Sequence, residues 1–223
     1  MAMAYKNTID FSNRNVKYVM YFFLIFFSVG FAGLAIQQTQ NLFIKLFPFA
    51  LLLSFFAILL FHKEAFDTKT KTVFTMIGLV GFLIEVAGVH THLIFGNYQY
   101  GDALGIKVFN APLLIGINWI MLTYASSAIT ENMPAAVILK IIFASLIMLV
   151  YDILLEQVAP VLDMWYWSDG QIPLQNYIAW FIVSVIFQTS IRFAGIKTRN
   201  PVAVFIILLQ ILFFISLIVF NVL

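Results

Sequence analysis

Val73-Phe-Thr-Met-Ile-Gly-Leu-Val-Gly-Phe-Leu-Ile-Glu85-Val-Ala-Gly-Val-His90-Thr-His-Leu-Ile94 is an apolar run broken by a single carboxylate. A helix needs about 20 mostly apolar residues to cross the hydrocarbon layer of a bilayer, and this run has that length. Outward from it, further runs occur at 18–36, 46–61, 108–127, 135–155, 177–195 and 202–220. With 73–94 they predict about seven transmembrane helices in an all-α membrane protein. The second run is the shortest, and Lys45 crowds its start.

Composition agrees. The 223 residues are 63% hydrophobic and 10% charged, and the mean hydropathy is +1.00. Soluble domains carry roughly a quarter charged residues. Short polar connections such as Gln37 to Asn41 and Thr130 to Pro134 leave no room for a soluble unit, so residues 1–223 read as one integral membrane domain. The polar segment from Tyr5 to Lys17 leads directly into a long Phe-rich run, a pattern unlike a cleavable signal peptide. The chain has no cysteine, which excludes disulfides, thiolate nucleophiles and Cys-ligated metals. A net charge of +2 suggests no nucleic-acid partner.

Charge placement predicts orientation. With seven spans, Lys6, Arg14, Lys17, Lys63, Lys69, Lys71, Lys140, Arg192, Lys197 and Arg199 fall on the amino-terminal side, and only Lys45 and Lys107 on the other. The positive-inside rule then puts the amino terminus in the cytoplasm of a multi-pass cell (cytoplasmic or inner) membrane protein. Asp102, Asp163 and Asp169 fall in the outer loops, and Glu85, Asp152 and Glu156 in the outer parts of spans three and five.

Spans three to six contain a sparse repeat. Glu85 precedes Asp102 by 17 positions, as Asp152 precedes Asp169, and at the same offset Tyr98 and Tyr100 fall on Trp165 and Trp167. Pro112 precedes Trp119 by seven, as Pro173 precedes Trp180. Both copies start from the cytoplasmic side, so the repeat predicts parallel halves (spans 3–4 and 5–6) related by an axis along the membrane normal.

A carboxylate inside a span is costly unless it is paired or neutral, so Glu85 and Asp152 read as functional. Glu156 lies four residues beyond Asp152, on the same helix face. A carboxylic acid held in its protonated form is a ready proton donor. Tyr98, Tyr100, Trp165, Tyr166, Trp167, Tyr177 and Trp180 gather near the outer boundary. They suit an interfacial belt, and their ring faces can also stabilise a cation. His90 and His92 suggest a proton relay more than a metal site, because His62 is distant and histidine-box enzymes use many more. No metal ligand is assigned. The last span has no lysine for a retinal Schiff base, and no P-loop, nucleophile elbow or H-E-x-x-H motif occurs.

The stretch Glu85-Val-Ala-Gly-Val-His90-Thr-His-Leu-Ile-Phe95-Gly-Asn-Tyr98-Gln-Tyr100-Gly-Asp102-Ala-Leu-Gly105, with Pro112-Leu-Leu-Ile-Gly116-Ile-Asn118-Trp119, resembles the CruF-type carotenoid biosynthesis proteins. Asp152-Ile-Leu-Leu-Glu156, Trp165-Tyr-Trp167, Ile172-Pro173-Leu-Gln-Asn176-Tyr177 and Trp180-Phe181 resemble that family's second signature. The likeness covers about 75–190. It departs where His92 replaces a usual glycine and Gln157 a usual proline, which weakens any role for His92. The resemblance implies cofactor-independent hydration of the terminal C=C of an acyclic carotenoid to a tertiary alcohol. It implies Glu85, Asp152, Glu156, Asp102 and His90 as catalytic candidates, and Tyr98, Tyr100, Trp165, Trp167, Asn118, Trp119, Asn176, Tyr177 and Trp180 as substrate-binding ones. The expected partners are a lipophilic carotenoid from the bilayer and water; a homo-oligomer, or association with other carotenoid enzymes, stays open. A carotenoid end-group cyclase shares the protonation step and is the nearest alternative. A transporter or lipid-binding protein with proton-relay acids is the alternative of another class; the outward bias of the acids, and the absence of an inward-facing polar path in the sequence, argue against it.

Overall fold

The computed structural model describes residues 2–222, with side chains described from Asn15 on. Lys6 and Arg14 therefore lie outside the described side chains. The helices are α1 (Ala2–Ala35), α2 (Gln37–Lys45), α3 (Phe47–Leu60), α4 (Thr68–Thr91), α5 (Leu114–Thr130), α6 (Val137–Val158), α7 (Leu174–Phe193) and α8 (Pro201–Val219). Four short strands join them: β1 (Tyr98–Tyr100), β2 (Lys107–Val108), β3 (Ala111–Pro112) and β4 (Trp165–Trp167). The chain is an all-α membrane protein.

Among the described residues, five helices are long and apolar enough to cross a bilayer by themselves: Asn15–Ala35 within α1, then α4, α6, α7 and α8. The second expected span differs from a simple helix. It is the bent pair α2 and α3, which meet at 52°. Pro48 stands in the first turn of α3, where its missing N–H costs nothing but where α2 cannot continue through it. The polar run Gln37-Gln-Thr-Gln-Asn41 and Lys45 also keep α2 from being a lipid-buried segment. The fourth expected span is α5, whose 17 residues reach only about 26 Å.

The ends of the helices fix their directions. β1 follows α4 and β4 follows α6, and the two strands pair, so α4 and α6 finish at one end of the bundle, the strand end. α5 must therefore return between them. α3 starts at the strand end, where Gly105 lies against Pro48. It finishes at the opposite end, where Asn200 Nδ2 donates to Ile58 O at 2.8 Å and His62 Nδ1 lies 2.6 Å from Tyr124 Oη. α1 and α8 run the same way, with Phe27 against Phe213 and Phe31 against Phe220.

Local chemistry explains the helix limits. Asp67 caps α4 by accepting from Thr70 N at 2.7 Å, and Asn200 caps α8 by accepting from Val202 N and Ala203 N at 3.1 Å. α4 and α5 approach closely because small residues face each other. A Cβ on Gly116 would lie 2.6 Å from Gly78 O, and one on Gly81 would lie 2.7 Å from the Trp119 ring. At the opposite end, Arg192 Nη1 donates to Glu131 Oε2 and ties α7 to the end of α5.

The interior of α5, α6 and α7 is more polar than a purely apolar core. Thr123, Ser126, Ser127, Ser145, Ser184 and Gln188 are all buried there. Gln188 Nε2 donates to Thr123 O at 3.0 Å. These buried polar side chains lie on the side of the bundle away from the acids, and several of them, Thr123, Ser145 and Ser184, make no side-chain hydrogen bond among the described residues.

The strand pairing exposes the repeat. β1 and β4 are antiparallel, with Tyr98 opposite Trp167, Gln99 opposite Tyr166 and Tyr100 opposite Trp165. Gln99 thus faces its own repeat mate, while Tyr98 faces the mate of Tyr100 and Tyr100 the mate of Tyr98, which is the register of a two-fold axis through Gln99 and Tyr166. Gln99 and Tyr166 are exposed while the flanking rings turn inward, so the axis runs into the bundle. Trp119 and Trp180, also repeat mates, stack with centroids 4.2 Å apart and an interplanar angle of 25°.

Candidate functional site

The inward faces of β1 and β4 place four aromatic donors above two acids. Tyr98 Oη and Tyr100 Oη both donate to Glu85 Oε2 at 2.7 Å. Trp119 Nε1, reaching from α5, donates to Glu85 Oε1 at 3.1 Å. Across the ribbon, Trp167 Nε1 and Trp165 Nε1 donate to Glu156 Oε2 at 2.7 and 3.1 Å. Asn176 Nδ2, from the first turn of α7, donates to Glu156 Oε1 and to Asp152 Oδ2, both at 3.1 Å. The second oxygen, Asp152 Oδ1, is buried and has no hydrogen-bond partner among the described residues.

The repeat is therefore asymmetric at its centre. Asp152 matches Glu85 in sequence offset, yet Glu156 takes the position that Glu85 holds beneath its aromatic pair. The donor chemistry accounts for this. A phenolic oxygen sits at the far tip of its ring, whereas an indole N–H sits on the flank. The two tryptophans thus reach an acceptor one turn nearer the strand than the two tyrosines do.

Glu85, Glu156, Tyr98, Tyr100, Trp165 and Trp167 line one cavity, closed further by Phe95, Ile115, Asn176 and Trp180. It encloses about 20 Å³, enough for about one water molecule. Tyr98 and Trp167 lie 5.3 Å apart by ring centroid, and Tyr100 and Trp165 lie 6.1 Å apart. Burial, with the Glu85 carboxylate alongside, pushes the Tyr98 and Tyr100 phenols above the ordinary tyrosine range, so both remain donors. Two carboxyl groups facing one small space through aromatic walls can move protons and stabilise positive charge between them.

Of the candidates from sequence, the three acids Glu85, Asp152 and Glu156 come together here, with the aromatic pairs, Asn176 and Trp180. Trp119 stands behind Glu85 as its donor. Asn118 is buried but lines a neighbouring cavity, with Tyr151 and Gln210. Tyr177 is partly exposed on α7 and is not among the side chains that line this cavity. Two further catalytic candidates, Asp102 and His90, lie away from the three acids. Asp102 is on the surface, its side chain 91% exposed and paired with Lys107 Nζ at 2.8 Å; that lysine holds its carboxyl below the usual range. His90 is exposed on the last turn of α4, with Nδ1 2.9 Å from Val86 O, because five residues beyond Glu85 is a different helix face. His92 is also exposed and ends α4 with a φ of 59°.

Other residues emerge only from the structure. Phe95 is 1% exposed and forms a cavity wall. Asp163 bridges the repeat halves, with Oδ2 accepting from Asp102 N at 3.1 Å and Oδ1 from Tyr166 Oη at 2.7 Å. Phe95 could have been found by its place inside the motif, three residues before Tyr98; Asp163 carried only its loop position as a signal.

No curated protein and no solved structure matches the chain. The family model described as carotenoid biosynthesis protein matches residues 46–223, wider than the 75–190 of the recognisable motifs. With acids, aromatic ribbon and both repeat halves inside that match, the chain belongs to the carotenoid biosynthesis protein family.

Proposed function

We propose that the protein hydrates the terminal double bond of an acyclic carotenoid end group, giving a tertiary alcohol without a cofactor. The observation that carries this reading is the water-sized cavity bounded by Glu85 on one side and Glu156 on the other. Hydration of an alkene needs an acid, a site for one water and an acceptor for the proton that water loses. Cyclisation needs no water at all.

In this mechanism Asp152 and Glu156 act as the proton source. They are joined through Asn176, and Asp152 accepts from only that one donor, so the pair is the less compensated of the two acidic sites. Glu156, which faces the cavity, protonates the less substituted alkene carbon, forming a C–H bond and a tertiary cation. The ring faces of the β1–β4 ribbon stabilise that cation. Glu85, steadied by three donors, orients the water; its oxygen forms the C–O bond, and its released proton passes to Glu85. Transfer through the next water returns that proton to the Asp152–Glu156 pair.

The orientation that goes with this reading has the strand end outside and the opposite end, with Lys63, Lys69, Lys71, Lys140, Arg192, Lys197 and Arg199, in the cytoplasm. The membrane is then the cell's cytoplasmic or inner membrane. The deciding experiment is expression in a lycopene-producing bacterium with chromatography and mass spectrometry. A product heavier by one water supports hydration. An isomer of unchanged mass points to cyclisation, and unaltered pigment with transport activity in vesicles points to a proton-coupled carrier.

A further inference from the structure

We propose that the unreacted polyene of the substrate lies in an apolar channel between α1, α3 and α8 that opens to lipid beside the α2–α3 bend. The proposal rests on the carotenoid reading and gives that substrate its path.

Three cavities stand in sequence from the acids outward. The acid cavity and the next one share Ile115 and Trp165 as a common wall. That second cavity, of about 50 Å³, shares Phe27, Phe47, Ala50 and Phe213 with a third of about 320 Å³. The third is lined almost wholly by aliphatic and aromatic side chains, and its rim carries Phe49, 67% exposed, and Val29, 53% exposed. In a bilayer these residues face acyl chains. The acid end of the series is small and carries the carboxyl groups, and the lipid end is apolar and wide, so an apolar chain with one reactive tip fits it in a single direction.

The bend supplies the opening. The large cavity lies between α1 and the corner where α2 and α3 turn by 52°, with Phe43, Leu46, Phe47 and Ala50 from that corner in its wall. Phe27 and Phe213, with centroids 5.4 Å apart, form the wall where the wide cavity narrows. The channel therefore holds one end of a long molecule while the remainder stays in the bilayer, and each binding event presents a single end group to Glu85 and Glu156.

The absence of native cysteine allows a direct test. Ala50→Cys and Phe213→Cys place thiols in the shared wall, and Ile182→Cys places a control on the exposed face of α7. The full-length protein in nanodiscs is reacted with a membrane-permeant methanethiosulfonate, with and without an acyclic C40 carotenoid. With carotenoid at about ten times its Kd, modification at Ala50→Cys and Phe213→Cys should slow about tenfold, with Ile182→Cys unchanged. The same protection should persist in a Glu85→Gln background, where chemistry is blocked. Protection without hydration by the unaltered protein would retain the channel and remove the hydratase reading. Hydration without protection at either channel position, or equal protection at Ile182→Cys, would overturn the channel.

Discussion

Tyr98 lies opposite Trp167 across the two-stranded ribbon, with ring centroids 5.3 Å apart, while the phenol of one donates to Glu85 and the indole of the other to Glu156. One ring pair thus sets the relative position of the two acids from the two repeat halves. The ribbon is only three residues long in each strand, so its rigidity comes from these inward contacts more than from its backbone.

Replacing Glu85 or Glu156 by Gln should lower hydrated product on the order of 10²–10⁴-fold, the span ordinary for loss of a general acid or base. Protein level and detergent elution volume should be unchanged. Pigment analysis of cells expressing each variant checks this, and full hydration by either one would end the two-acid mechanism.

Tyr98→Phe keeps the ring but removes one of three donors to a buried carboxyl group. The expected cost is about 1–3 kcal/mol of stability, seen as a lower thermal midpoint in detergent, with reduced hydration. Tyr166→Phe, altered on the exposed face of the ribbon, should leave hydration within about twofold.

Asp102→Asn and His90→Ala should each retain hydration within about twofold, since an exposed ion pair contributes little and neither side chain reaches the cavity. A large loss in Asp102→Asn, with normal protein level, would return that residue to the catalytic set.

Gly116→Ala pushes a methyl group into the backbone of α4 at Gly78. A destabilisation of about 1–3 kcal/mol is expected from such overpacking. Gly170→Ala has no neighbour within 4 Å but a φ of +65°, so its effect should be confined to about 1 kcal/mol of backbone strain. Thermal unfolding of the two variants side by side tests the close helix approach.

Single-cysteine labelling tests orientation. In intact spheroplasts a membrane-impermeant maleimide should label Asp169→Cys, beside the ribbon, and spare Lys197→Cys, beyond α7. The reverse pattern would place the acids and their water supply toward the cytoplasm.

The sequence by itself determined what depends on composition and local order. Apolar runs long enough to span a bilayer, the skew of lysine and arginine and the offset joining Glu85 to Asp152 are properties of the chain, because each is set by residue type and spacing. The carboxylates could be singled out because a charge in an apolar run is costly wherever the run packs. What only the tertiary structure decided depends on direction and reach. Helix rotation turns His90 away from the acids, the loop after β1 carries Asp102 to the surface beside Lys107, and Pro48 bends the second span. The different lengths of phenol and indole hand the partner role opposite Glu85 to Glu156, although the repeat register points to Asp152. The water-sized cavity is settled last of all, since it exists only where two halves distant in the chain close against each other, through Tyr98 facing Trp167 and Trp119 stacking on Trp180.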